Sequence, residues 1–187
     1  MRLALLSLSL FLALPGFAQE RKSKAHVSAN GIYSVQLVQE APGKCRVEMR
    51  KESGPAWQFE GCIGTVDDYY FASNDGERFW LLRPLVEKGT KALVEKKGKR
   101  KIVRVPAWAN ATVAELYDRT GQKLQEMRLQ NFLKGSRELG EVRQMKAHFK
   151  WLEGTLGIPG KGPRLTDDEK VEFEAVGAKT YRLSFSS

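Results

Sequence analysis

Period-two alternation of apolar and polar side chains recurs along this chain, and it points to β architecture before any other property is weighed. In Cys45-Arg46-Val47-Glu48-Met49-Arg50 every second residue is apolar or a cysteine, and the same rhythm runs through Lys170-Val171-Glu172-Phe173-Glu174-Ala175-Val176 and Lys179-Thr180-Tyr181-Arg182-Leu183-Ser184-Phe185. Successive side chains of a strand point to opposite faces, so each segment turns one set toward a core and the other toward water. Turn residues separate these segments: Ala41-Pro42-Gly43 follows Ile32–Val38, and Gly177 sits between the closing pair. Pro presets φ and Gly reaches positive φ without steric cost, so both joints predict hairpins.

A second group of strands is denser in aromatics. Asp68-Tyr69-Tyr70-Phe71-Ala72 and Arg78-Phe79-Trp80-Leu81-Leu82 flank Ser73-Asn74-Asp75-Gly76-Glu77, a strong hairpin turn. The aromatics coincide with the strand pattern, which favours core packing over an exposed platform for stacking on glycans. A further pair is predicted at Lys101–Val105 and Ala111–Tyr117, ended by Asp118-Arg119-Thr120-Gly121. Beyond that turn, Leu124, Met127 and Leu129 fit either a continuing strand or a short helix. Asn30-Gly31, Asp75-Gly76 and Thr120-Gly121 recur at intervals of 45 residues, which resembles a blade repeat in length, but Trp and Cys do not follow that period.

One helix is expected, near 137–153. Ser136 is placed to cap it, and Leu139, Val142, Met145, Phe149 and Leu152 recur at three- and four-residue steps. Gly154 and Gly157 are stop signals, and Thr155–Pro163 reads as an exposed loop. The expected fold is therefore mainly β: an antiparallel hairpin-built sheet or sandwich with one amphipathic helix packed against it.

The first 18 residues stand apart from this pattern. Arg2 precedes the apolar run Leu3–Leu14, and Pro15-Gly16-Phe17-Ala18 leads to an abrupt polar shift at Gln19. That is the layout of a cleavable signal peptide, and the run is shorter than the roughly 20 residues a membrane span requires. The predicted organisation is a signal peptide at 1–18, a flexible mature N-terminus at 19–31 and a single β-rich domain at 32–187. No later run is long and apolar enough to span a membrane, so no transmembrane segment is expected after cleavage. The expected location is periplasmic or secreted.

Export also bears on the two cysteines, Cys45 and Cys62. An even pair in an oxidising compartment predicts a disulfide, and the spacing does not suit a redox-active pair or a zinc site. The formal charge is +9, and part of the excess lies in Lys96-Lys97-Gly98-Lys99-Arg100-Lys101. Lys96, Lys97, Lys99, Arg100 and Lys101 form a candidate anion-binding tract, although a solvated loop between strands produces the same composition. Nucleic acid is disfavoured as a partner, because export removes the chain from it and no stacking motif accompanies the cations.

The chain carries few residues in patterns that suit catalysis or metal binding. His26 lies in a polar stretch and His148 within the expected helix; neither belongs to a nucleophile turn or a zinc motif. Asp67-Asp68 and Asp167-Asp168 are adjacent pairs whose members point apart in a strand, which does not suit paired acid and base. Asp67, Asp68, Asn74 and Asp75 lack calcium-loop order, and Lys161 lies outside any phosphate-loop spacing. Asn110-Ala111-Thr112 is a formal glycosylation acceptor. No metal or cofactor is expected. These features predict an exported non-catalytic structural or binding protein of the periplasm or cell envelope, acting through an envelope protein or surface polymer. A secreted carbohydrate or polyanion binder and a cell-envelope hydrolase are the alternatives.

Overall fold

The computed structural model describes residues 19–52, 54–87, 95–96, 99–100, 107–134, 136–144, 148–154 and 162–186. Its strands are, in chain order, Arg21–Lys22 (β1), His26–Val27 (β2), Tyr33–Ala41 (β3), Lys44–Lys51 (β4), Gly54–Glu60 (β5), Tyr69–Ala72 (β6), Arg78–Leu82 (β7), Leu85–Glu87 (β8), Glu95–Lys96 (β9), Lys99–Arg100 (β10), Thr112–Asp118 (β11), Lys123–Arg128 (β12), Arg143–Gln144 (β13), His148–Lys150 (β14), Arg164–Leu165 (β15), Lys170–Ala175 (β16) and Lys179–Ser184 (β17). Helical structure among the described residues is short: a 3-10 turn at Ala107–Asn110, then Leu129–Phe132 (α1) and Ser136–Gly140 (α2). The fold is mainly β and built from antiparallel hairpins, as the alternation predicts.

Of the five sheets among the described residues, β10-β9 and β13-β14-β8 are small, and the other three are stacked in layers. The first has the order β1-β3-β4-β5 with β2 also on β3, the second β12-β11-β7-β6, and the third β15-β16-β17. The second sheet is the middle layer because its two faces feed separate cores. Tyr70, Ala72, Phe79 and Leu81 pack with Val35, Leu37, Val47 and Met49 of the first sheet. Their neighbours Tyr69, Phe71, Trp80 and Leu82 pack with Val171, Phe173, Ala175 and Leu183 of the third. A strand covered on both faces has no use for polar alternation, which is why β6 and β7 read as nearly continuous apolar runs. The aromatic cluster is thus core: Tyr70, Phe71 and Phe79 are fully buried.

The layers are tied together at their turns. The Asn30 N–H donates to Asn74 Oδ1 at 2.8 Å, and Asn30 Nδ2 donates to the Asn74 carbonyl at 2.9 Å. Glu169 Oε1 then accepts from the Asn74 N–H at 2.6 Å. Turns of the three layered sheets are joined through Asn74. In the β6–β7 turn, Gly76 has φ 71°, and a Cβ at this position would lie 2.6 Å from the Tyr33 ring. Both the backbone conformation and the close approach therefore require glycine. The Gly31, Gly76 and Gly121 turns all have positive φ, yet they close hairpins in two different sheets and do not generate propeller blades.

Two expectations are corrected. The 19–31 segment is paired structure, with β1 and β2 both on β3, and Ser23 Oγ accepts from the Leu37 N–H at 2.9 Å. Its strands have two residues each, too few to register as alternation. Among the described residues the helix near 137–153 is confined to Ser136–Gly140; β13 and β14 follow, with His148↔Glu87, Phe149↔Val86 and Lys150↔Leu85 in register. Leu139, Val142, Phe149 and Leu152 are buried as the helical stripe required, but so is Trp151, which that stripe placed elsewhere. Burying both Trp151 and Phe149 is natural for a strand, because residues two apart share a face. Gly140 weakens helix propagation at the point where the helix ends.

The ambiguous 124–129 stretch contains both alternatives in succession, β12 followed at once by α1. The strand expected at Lys101–Val105 lies outside the described residues, as do Met145 and Thr155–Lys161. The closing hairpin forms as expected, and the chain end is seated: Arg78 Nη1 donates to the Phe185 carbonyl at 2.6 Å and Trp80 Nε1 to the Ser184 carbonyl at 3.0 Å.

Candidate functional site

A groove of about 500 Å³ opens where β12 and α1 meet β17. Its position follows from the abrupt end of β12. The Arg128 N–H donates to Asn131 Oδ1 at 2.6 Å, which starts a single helical turn, and Leu129, Phe132 and Leu133 are drawn into the core. The chain thereby leaves the sheet plane. Met127, Phe132, Tyr181 and Leu183 form the apolar part of the lining, and Tyr181 is fixed by donating its hydroxyl to the Phe132 carbonyl at 2.6 Å.

Charge surrounds this apolar floor asymmetrically. The lining includes Lys134, Lys179 and Arg182 against one carboxylate, Glu138. Glu138 is engaged twice, by the Lys179 ammonium through Oε1 and by the Lys134 N–H at 3.0 Å through Oε2. The hydrogen bond to Glu138 raises Lys179 above the ordinary lysine range, so its charge is secure at neutral pH. Arg182 is anchored on Glu172 at 2.8 Å, and Arg164 reaches the other oxygen of that carboxylate at 2.6 Å. A ligand with carboxylates or other acidic groups, and an apolar stretch between them, fits this arrangement.

A second polar cluster lies on the face of the middle sheet turned toward the first. Glu115 is nearly buried, with the Arg83 guanidinium on one oxygen and Lys123 Nζ 3.0 Å from the other. Lys123 also meets Glu126 at 2.7 Å, and these carboxylates hold the ammonium well above its usual range. Burial raises Asp68, while its Oδ2 accepts from the Thr65 N–H at 2.8 Å and the Thr65 hydroxyl at 3.1 Å. Burial and the neighbouring Glu115 push Tyr117 up to about 12. With its carboxylate oxygens committed to local partners, this cluster resembles a charge-neutralising staple between strands more than a base poised to take a proton.

The predicted site residues are distributed as follows. Cys45 and Cys62 form a disulfide with Cα atoms 4.8 Å apart, linking β4 to the segment after β5. In the basic tract, Lys96 lies opposite Lys99 and Arg100 opposite Glu95 in the β9–β10 hairpin. Lys97 and Lys101 lie outside the described residues. Asp68, Asn74 and Asp75 do not converge: Asp75 Oδ1 accepts from Ser73 Oγ and from the Glu77 N–H at 2.9 Å, within its own turn. Among the described residues no group of three or more His, Cys, Asp or Glu is placed to hold a metal ion. Asp168 is engaged with Lys170 at 2.6 Å. Asn110 Oδ1 accepts from Arg128 Nη1 at 2.8 Å and Gln130 Nε2 at 3.1 Å, which orients its side chain through the oxygen.

His26 is placed by β2 against the edge of the middle sheet, with its ring 4.7 Å from Phe71 and 5.7 Å from Tyr69. Its Nε2 is buried without a hydrogen-bond partner among the described residues, and burial, aided by the charge of Lys24, pushes the imidazole down to about 4. The groove itself was not visible in the sequence. Met127 and Tyr181 are 54 residues apart, and no local pattern announces that they share a wall. No protein-family model matches the chain, and comparison with curated proteins and with solved structures gave no match either.

Proposed function

We propose that this protein is an exported, non-catalytic binding domain that acts in the periplasm or outside the cell by engaging a partner of the envelope through the α1–β17 groove. The observation that carries the reading is the groove's composition: an apolar, aromatic floor with three cations and one carboxylate around it. Such a surface recognises an acidic partner through charge complementarity while the floor excludes water. The leader-like segment at 1–18 and the disulfide are consistent with export, because disulfides persist in oxidising compartments.

The test is site-specific photocrosslinking in cells that export the protein. A crosslinker at Lys134 is expected to capture one discrete envelope species, and a crosslinker at Gln58, exposed on β5, is expected not to. Reversing charge with Lys179→Glu and Arg182→Glu together should abolish the capture. Equal capture from Lys134 and Gln58, or none from either, would refute the reading. So would hydrolysis of wall or glycan fractions by the purified protein, which would restore the enzyme alternative.

A further inference from the structure

The hydrogen-bonding parity of the third sheet identifies an edge that is open among the described residues. The Thr166 N–H donates to the Lys170 carbonyl at 2.9 Å, and the Glu153 N–H donates to the Glu174 carbonyl at 2.8 Å. Lys170, Glu172 and Glu174 therefore direct their backbone groups away from β17, and Val171, Phe173 and Ala175 direct theirs toward it. Their partners in register are Leu183, Tyr181 and Lys179. It follows that Thr180, Arg182 and Ser184 turn their N–H and C=O groups to the outside of the sheet. Trp80 takes the Ser184 carbonyl, in agreement with this parity. Among the described residues the backbone groups of Thr180 and Arg182 have no such partner.

This edge differs from the other two long ones. β5 carries Pro55 and a register shift opposite Met49 and Arg50, and β12 meets β11 through two register shifts. Proline and bulges blunt an edge against added strands. β17 has neither, and its register with β16 is unbroken over six pairs. It also borders the groove, so Tyr181 and Leu183 offer an apolar face beside the free backbone, while Lys179 and Arg182 offer cations.

Resting on the binding-domain reading above, we propose that the open edge of β17 accepts an extended acidic segment of a partner protein as an added strand. Backbone bonds to Thr180 and Arg182 would hold the segment, its alternate apolar side chains would lie over Tyr181 and Leu183, and its carboxylates would meet Lys134, Lys179 and Arg182. The cations that deter pairing between two copies of this edge select an acidic strand in the same way.

The test uses the purified protein and the acetylated, amidated peptide Glu-Thr-Val-Glu-Val-Thr-Glu, with binding followed by isothermal titration calorimetry at low salt. The proposal expects binding to the wild type and to Thr180→Ala, and loss of roughly tenfold or more on Thr180→Pro. Proline there removes only an outward N–H and leaves the β16 ladder intact. Methylating the peptide amides that face the edge should weaken binding to the wild type by a similar factor, which keeps the test independent of how Thr180→Pro folds. No binding of the acidic peptide, or binding indifferent to amide methylation, would overturn strand addition. Envelope capture from Lys134 that persists in folded Thr180→Pro would also overturn it while leaving the binding-domain reading in place.

Discussion

Acid should destabilise this protein through His26 in a way that one substitution can isolate. The imidazole lies against Phe71 and Tyr69 with Nε2 buried and unpartnered among the described residues, and its pKa is held at about 4 against 6.5 for the unperturbed group. The depressed value means that the unfolded chain takes up a proton which the folded chain refuses. The associated stability is fully present above pH 6.5 and is lost as pH falls toward 4. Linkage converts the whole shift to about 3 kcal/mol, of which about 2 kcal/mol is gone by pH 5. Replacing His26 with Phe keeps an aromatic ring over Phe71 and removes both the titration and the orphaned nitrogen. Asp68, raised by burial, contributes a slope of opposite sign in both proteins and cancels in the comparison. Urea unfolding at pH 7.5 and 5.0 should show the wild type losing about 2 kcal/mol more than His26→Phe between the two conditions. Parallel losses would refute the burial assigned to His26.

The remaining predictions concern the covalent brace, a turn and the core. Reducing the Cys45–Cys62 bond, or replacing both residues with Ala, should cost about 3 kcal/mol by releasing a loop of 17-residue separation, read as a lower urea midpoint. Gly76→Ala combines a left-handed φ of 71° with a clash on the Tyr33 ring and should cost about 2–4 kcal/mol in the same assay. Trp151→Ala empties a fully buried site and removes the Nε1 donor to the Arg83 carbonyl, 2.7 Å away. It should cost about 3–5 kcal/mol, whereas a solvent-facing Trp on a helix would lose little.

Strands and turns were legible because their signals are local. The alternation in 45–50 and 170–185 is a relation between residues two apart, and the Pro42-Gly43 and Asp75-Gly76 turns are set by the φ values those residues reach. The disulfide was legible for a related reason, since only two cysteines were present to pair. The 137–153 segment misled because Leu139, Val142, Phe149 and Leu152 satisfy a helical stripe and are all buried in the actual arrangement. The choice fell to β14, whose pairing with β8 buries Phe149 and leaves Trp151 inside. Short polar strands such as β1 and β2 carry no periodicity, and their order comes from the backbone of β3.

The sequence by itself therefore determined a β-rich chain, its principal hairpins and a single possible disulfide, because each depends on near neighbours or on a count. Only the tertiary structure decided that β6, β7 and β11 form a middle layer with a core on either side, and that β17 presents a backbone edge, unpaired among the described residues, beside a cationic groove. Those facts depend on which distant segments share water-excluded space, a question of packing between layers that alternation along one strand does not encode.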